Sequence, residues 1–179
     1  SDLKFNTGRL VCLDTRTNEI KWQQDDLVGE LGTDKQGIFT LFVDRDNDIW
    51  MYSPLGIWVY NPEQEKWLSW LTNIIKRRSH NMVRAVSQDK QGRIWIGTDQ
   101  DGIDILDKKT GEVRQLRNKA GDERSLQNNT VMVLYEDSSE TMWVGTYKKG
   151  ISYFNECAFK FGAEYIGDIS CIEEDKEGY

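Results

Sequence analysis

One motif recurs three times along this chain, and it limits what the chain can fold into. An apolar run ends in Asp, and a Trp follows six residues later. Six or seven residues beyond the Trp, a Gly opens a second apolar run. The copies are Phe39–Asp44 with Trp50 and Gly56–Asn61, Val83–Asp89 with Trp95 and Gly102–Asp107, and Val131–Asp137 with Trp143 and Gly150–Asn155. Gly97-Thr98 and Gly145-Thr146 follow the Trp in the second and third copies, where the first has Tyr52-Ser53. Successive Trp residues lie 45 and 48 positions apart. Such self-similarity at a fixed period is the mark of a repeat architecture.

Each copy reads as four short strands. In the cleanest one, Arg84–Gln88 leads through Asp89-Lys-Gln-Gly92 to Arg93–Gly97. The segment Thr98–Asp101 then loops to Gly102–Asp107, and Lys108–Gly111 turns into Glu112–Arg117. Ile94, Ile96, Ile103 and Ile105 alternate as on one face of a pleated strand. Asp and Gly suit tight turns, because Gly tolerates positive φ and Asp bonds nearby backbone. No segment shows sustained helical periodicity. Four strands at this period indicate a β-propeller blade. The expected fold is all-β, with four-stranded antiparallel blades and about four repeats, as a partial propeller or a ring closed by end complementation.

Two half copies flank the full ones. Phe5–Asp14 matches the second half of the unit, and Ile169–Tyr179 matches the first half. The expected organisation is a partial blade (third and fourth strands) over 1–35, blades over 36–78, 79–125 and 126–165, and the first strand of a truncated blade over 166–179. The chain opens Ser1-Asp2-Leu3 with no apolar leader. A segment of a longer protein, or one whose signal has been removed, is the expectation.

Composition narrows the function. The 179 residues carry 23 basic and 30 acidic side chains, a formal net charge of −7. Binding to nucleic acid rests on neutralising phosphates, so no nucleic-acid partner is expected for this segment. One histidine, His80, makes histidine-based catalysis or a His-rich metal site a poor fit. Cys12, Cys157 and Cys171 form no CxxC pair and read as small apolar side chains in strands. Asp44, Asp46 and Asp48 resemble the start of a calcium loop. That loop needs a Gly next and a closing Glu where Leu55 stands, so no metal is assigned. No cofactor is expected.

The pattern from Val83 to Asp107, with Asp89, Gly92, Trp95, Gly97, Thr98 and Gly102 in register, resembles the two-component regulator propeller repeat. The Val131–Asn155 copy resembles it too, and the Phe39–Asn61 copy less closely. The resemblance implies the extracytoplasmic, periplasmic sensor region of a bacterial hybrid two-component histidine kinase. Such receptors typically join two seven-bladed propellers to a small β-sandwich, a transmembrane helix, a kinase core, a receiver and a DNA-binding domain. Many recognise oligosaccharides. No kinase, receiver or DNA-binding residue has a counterpart in this chain.

The recurring positions read as architecture. Trp50, Trp95 and Trp143 are expected to pack between blades, where a large ring buries about 150–250 Å². Gly97 and Gly145 are expected to let neighbouring backbones approach. Function then belongs to positions that do not repeat. Aromatic faces and Asn, Asp, Arg and Gln side chains in the inter-strand and inter-blade loops suit a sugar. The candidate ligand-binding residues are Tyr52, Arg78, His80, Asp99, Gln100, Arg124 and Tyr147. Trp22, Trp67 and Trp70 lie off the repeat, as blade edges or as an interaction surface.

The leading reading is a non-catalytic sensor segment, not an enzyme, that binds an oligosaccharide and signals through the membrane to a histidine kinase controlling transcription. The alternative is a structural or protein-interaction propeller with no small ligand. A glycosidase needs a carboxylate pair at a set separation, and none stands out. Partners expected beside the ligand are the remaining blades and domains of a parent receptor, and other copies of this chain through incomplete blades. A four-bladed ring, an eight-bladed ring of two chains and a self-associating fragment all fit the half copies.

Overall fold

A computed structural model describes residues 9–25, 39–54, 56–78, 82–155, 160–164 and 172. The chain divides into two compact units, Ser1–Ile38 and Phe39–Tyr179. In the first, strands β1 (Arg9–Asp14) and β2 (Glu19–Asp25) form an antiparallel hairpin closed at Asn18, whose φ is 58°. Cys12 lies on β1, half-buried and unbridged; Cys157 and Cys171 fall outside the described residues.

The second unit holds three four-stranded antiparallel meanders. Blade 1 is β3 (Thr40–Val43), β4 (Ile49–Ser53), β5 (Gly56–Asn61) and β6 (Lys66–Trp67). Blade 2 is β7 (Val83–Gln88), β8 (Ile94–Thr98), β9 (Ile103–Leu106) and β10 (Val113–Leu116). Blade 3 is β11 (Val131–Glu136), β12 (Met142–Thr146), β13 (Gly150–Asn155) and β14 (Lys160–Glu164). In every blade the strands pair in sequence order, as short local connections favour.

The first hairpin of each blade is the same device. The Asp backbone N–H donates to the carbonyl four residues on, at 3.0 Å in all three blades (Asp44 to Asp48, Asp89 to Arg93, Asp137 to Thr141). The residue three beyond the Asp is left-handed in each: Asn47 at φ 62°, Gly92 at 86° and Glu140 at 62°. This is a turn closed by a left-handed residue, a common hairpin form. One carboxylate oxygen of the Asp accepts the backbone N–H four residues on, at 2.8–2.9 Å. Its other oxygen accepts the indole N–H of the blade's Trp, at 2.8 Å for Trp50 and Trp95 and 2.7 Å for Trp143. A six-residue spacing is what places the indole over that carboxylate.

The rings so fixed build the seams. Trp50 is fully buried in a cluster with Ile57 and Val59 of blade 1 and Val83, Val86, Ile94 and Ile96 of blade 2. Trp95 stands likewise in a cluster with Ile103 and Ile105 of blade 2 and Val131, Leu134, Met142 and Val144 of blade 3. Gly97 lies at this second seam; a Cβ there would sit 2.6 Å from Val131 Cγ1. Polar pins repeat beside the rings. Arg45 N–H donates to Gln88 Oε1 at 2.8 Å, and Lys90 N–H donates to Glu136 Oε1 at 2.9 Å.

A ten-residue helix, α1 (Ser69–Arg78), joins β6 to β7. It lies in an inter-blade connection, and every other element among the described residues is a strand, as the all-β expectation has it. Leu71 and Ile75 are buried, with Leu68 and Ile74 packed on the same cluster, so four apolar residues at spacings of three, three and one hold the helix to blade 1. A helix this short is stabilised by packing rather than by propensity. Trp70 points outward, 48% exposed, and Lys76 Nζ lies 5.6 Å from the Trp58 ring. Trp67, on β6, packs on Tyr60 with ring centroids 5.1 Å apart.

Trp95→Phe keeps most of the apolar contact but leaves a buried Asp89 oxygen without its indole donor. It is expected to lower unfolding stability by about 1–3 kcal/mol, read from urea melts followed by circular dichroism.

Candidate functional site

Antiparallel meanders give each blade two ends. The loops β4–β5, β8–β9 and β12–β13 share one end with the inter-blade connections; the Asp turns and the β5–β6 and β9–β10 turns share the other. All seven ligand candidates were expected at the loop end.

There, the structure brings Asp99 and Tyr147 to a common neighbour. Thr130 Oγ1 donates to Asp99 Oδ1 at 3.3 Å, and Tyr147 N–H donates to the Thr130 carbonyl at 2.9 Å. Asp99 is also paired with Arg84 at 2.7 Å. Tyr147 is 44% exposed, with Lys148 Nζ 4.9 Å from its ring. Gln100 is exposed at a left-handed φ of 81°, and Arg124 is exposed in the connection to blade 3. Tyr52 is different. It lies on β4, not in a loop, and is buried in the seam with blade 2, so the expectation of a ligand-facing side chain there is corrected. Burial raises its phenol pKa, opposed by hydrogen bonds to the Val86 backbone and Thr40. Arg78 ends α1, with its side chain outside the described residues; His80 also falls outside them.

The turn end holds charge chemistry that sequence reasoning missed. Oxygens of Asp44, Asp46 and Asp48 converge to within 4.8 Å of one another. Lys108, from the β9–β10 turn of blade 2, places its ammonium among them, 2.6 Å from Asp44 Oδ2, 2.8 Å from Asp46 Oδ2 and 2.6 Å from Asp48 Oδ2. A tethered cation thus meets the charge of the calcium-like triplet and ties blade 2 to blade 1. Burial alone would lower the Lys108 pKa, but the bonds to Asp44, Asp46 and Asp48 outweigh it and raise the value above the ordinary lysine range. The hydrogen bond from Lys108 also holds the Asp46 carboxyl below its usual range. In blade 2 the corresponding Asp89 has an internal cation, with Arg93 Nε 2.6 Å from its Oδ2.

Between blades 2 and 3, at the same end, lies an open groove of about 330 Å³. Asp89, Gln91, Arg93, Glu136, Ser139, Glu140 and Asn155 supply its polar lining, and Trp95, Met142 and Phe154 its apolar part. Two acids of the lining have little-exposed side chains, Asp89 at 3% and Glu136 at 8%. Burial raises the Glu136 pKa, the Lys90 N–H lowers it, and nearby Asp89 raises it again.

Three meanders sharing ring-lined seams define a β-propeller segment. Residues 78–100, reaching into blade 2, and 125–148, reaching into blade 3, match the family model described as two component regulator propeller. No curated protein sequence matches. Among solved structures, the extracellular domain of the putative hybrid two-component system BT3049 from B. thetaiotaomicron is similar, at 24% identity and a TM-score of 0.60 over 78% of this chain. The extracellular domain of BT4673 from the same organism is similar at 20% identity and a TM-score of 0.52 over 66%. The chain spans 19% and 16% of those two chains' lengths. The β-propeller domain of Myceliophteria thermophila Swd1 covers 97% of this chain and 56% of its own, at 11% identity and a TM-score of 0.63. These likenesses establish the fold.

Lys108→Met strands two buried carboxylates and is expected to lower stability at neutral pH by about 3–5 kcal/mol. The contribution of this four-residue cluster is complete between the carboxylate and lysine ranges. It fades as pH falls through the lowered Asp46 pKa, below 3.8, and as pH rises through the raised Lys108 pKa, above 10.5. Chemical melts of both proteins across pH should therefore differ most near neutrality and converge in acid.

Proposed function

We propose that this chain is a non-catalytic, ligand-sensing propeller segment of a bacterial hybrid two-component receptor, lying in the periplasm and recognising an oligosaccharide. The observation that carries the reading is the pair of regulator-propeller repeats at residues 78–100 and 125–148. The two B. thetaiotaomicron neighbours, both extracellular domains of putative hybrid two-component systems, support it. The Asp carboxylates of the turns support a non-catalytic role, since each is committed to an indole and to backbone amides. No helix among the described residues is long and apolar enough to cross a membrane. Ligand binding in such a segment would change blade or propeller packing, and a membrane-spanning parent would pass that change to its kinase and so to transcription.

The test is calorimetry of the folded chain against neutral, amino and uronic-acid oligosaccharides. Binding of at least one class is expected. Silence across the whole panel, with the circular dichroism of a folded β protein, overturns the sugar-sensing reading.

A second reading, an interaction surface for another blade, is favoured by one observation. Leu41 and Val43 are 51% and 55% exposed on β3. In repeat register Leu41 corresponds to Val86 and Leu134, which are 7% and 8% exposed because the preceding blade's Trp covers them. The occupant that fits is the Trp-bearing face of a blade, and blade 3 of a second copy carries one in the half-buried Trp143. Light scattering over a range of concentrations should show a dimer or larger assembly that Leu41→Asp dissociates. A concentration-independent monomer overturns it.

A further inference from the structure

The two seams make a controlled comparison within one molecule. At each, the backbone N–H that follows the turn Asp of one blade donates to the last side chain of the next blade's first strand. At the first seam the acceptor is the neutral amide of Gln88; at the second it is the carboxylate of Glu136. The hydrogen bond therefore needs no charge. A buried carboxylate is a liability unless something compensates it. Glu136 Oε1 takes the Lys90 N–H, but the cation nearest Oε2 is Arg45 Nη2, 3.6 Å away on a side chain that is 54% exposed. The remaining charged groups around it are already engaged. Arg93 is on Asp89, and Lys90 Nζ donates to the Ser138 carbonyl and lies 3.5 Å from Glu140.

The grooves differ in the same sense. Beside Trp50, the ammonium and alkyl stem of Lys108 reach across from blade 2 to the carboxylates of blade 1. In sequence, the residue that follows Asn155 as Lys108 follows Asp107 is an acid, Glu156, and not a lysine. The groove beside Trp95 has a volume of about 330 Å³, and its lining includes Glu136, Glu140, Gln91, Ser139, Asn155 and Phe154. Such a volume lies at the lower end for small-ligand pockets.

We infer that the groove between blades 2 and 3 binds a small ligand bearing an unsubstituted ammonium, an amino sugar in class, whose cation meets Glu136 while its ring lies over Phe154 among the hydroxyl and amide side chains. This rests on the sugar-sensing reading above and adds the site and the charge of the ligand. The site lies at the turn end, away from the Asp99 and Tyr147 loops. Glu136, Glu140 and Asp89 face the cation with negative charge, and Arg45, Lys90 and Arg93 oppose it.

The experiment titrates the full chain with D-glucosamine, N-acetylglucosamine and glucose by calorimetry, alongside Glu136→Gln and Ser139→Trp. Gln at this position copies the Gln88 seam, so Glu136→Gln should melt at or above the wild-type temperature. Glucosamine should bind, N-acetylglucosamine and glucose much more weakly, and Glu136→Gln should weaken glucosamine about tenfold or more, as losing a charged hydrogen bond implies. Ser139→Trp should abolish it by filling the groove. Absence of glucosamine binding, equal affinity for the acetylated sugar, or indifference to both substitutions overturns the inference. Neutral or acidic oligosaccharides that bind wild type and Glu136→Gln alike would leave the sensor reading standing while removing this site.

Discussion

The carboxylate-to-indole hydrogen bond is the interaction on which the rest of this structure depends. One Asp per blade does two things at once. It holds the first hairpin closed through backbone amides, and it orients a tryptophan whose far side becomes the wall of the next seam. A buried indole N–H and a buried carboxylate would each be destabilising alone. Satisfying each other, they set the ring's angle within its own sheet. Blade packing then follows as apolar surface closing over a ring already in place, with Trp50 under Val86 and Trp95 under Leu134.

Charge distinguishes seams that are otherwise copies. At the position four beyond the turn Asp stand Asp48, Arg93 and Thr141. Asp48 adds negative charge and draws Lys108 across the seam; Arg93 neutralises its own Asp from within the turn; Thr141 accepts a hydrogen bond from Asn155 instead. These choices set which polar partners gather at each turn. Individuality thus resides in the side chains that border the repeat, as expected when the scaffold itself is generic.

Much of the fold was legible because it is written in spacing. Asp to Trp at six residues, Trp to Gly at six or seven, and alternating Ile residues translate directly into hairpin, ring and strand. What escaped was whatever depends on a second blade or breaks the repeat. The reason for the six-residue spacing needed the indole nitrogen in view. Lys108 lies 60 residues or more from the carboxylates it binds, so no local pattern could join them. Helix α1 has apolar residues at helical spacing (Trp70, Leu71, Ile74, Ile75), but its ten residues fall where the repeat leads one to expect a connection. Tyr52 looked like a loop residue because Ser53 and Pro54 follow it, yet strand pairing with Ile57 keeps it inside the sheet. Of the candidate site, the loop-end residues could be placed from the order of strands, whereas the turn-end groove required knowing that Glu136 is buried where Gln88 suffices.

Because the Asp–Trp bond closes within a span of six residues, it travels with its own stretch of chain. Duplicating or deleting one such stretch would carry a finished hairpin and its oriented ring to a new place in the array, with nothing to be redesigned inside the unit. The contacts that reach between units, such as Lys108 to blade 1, have no such portability and must be refitted at every new junction. An array built this way can lengthen readily by copying, while its charge pairing diverges at the joints.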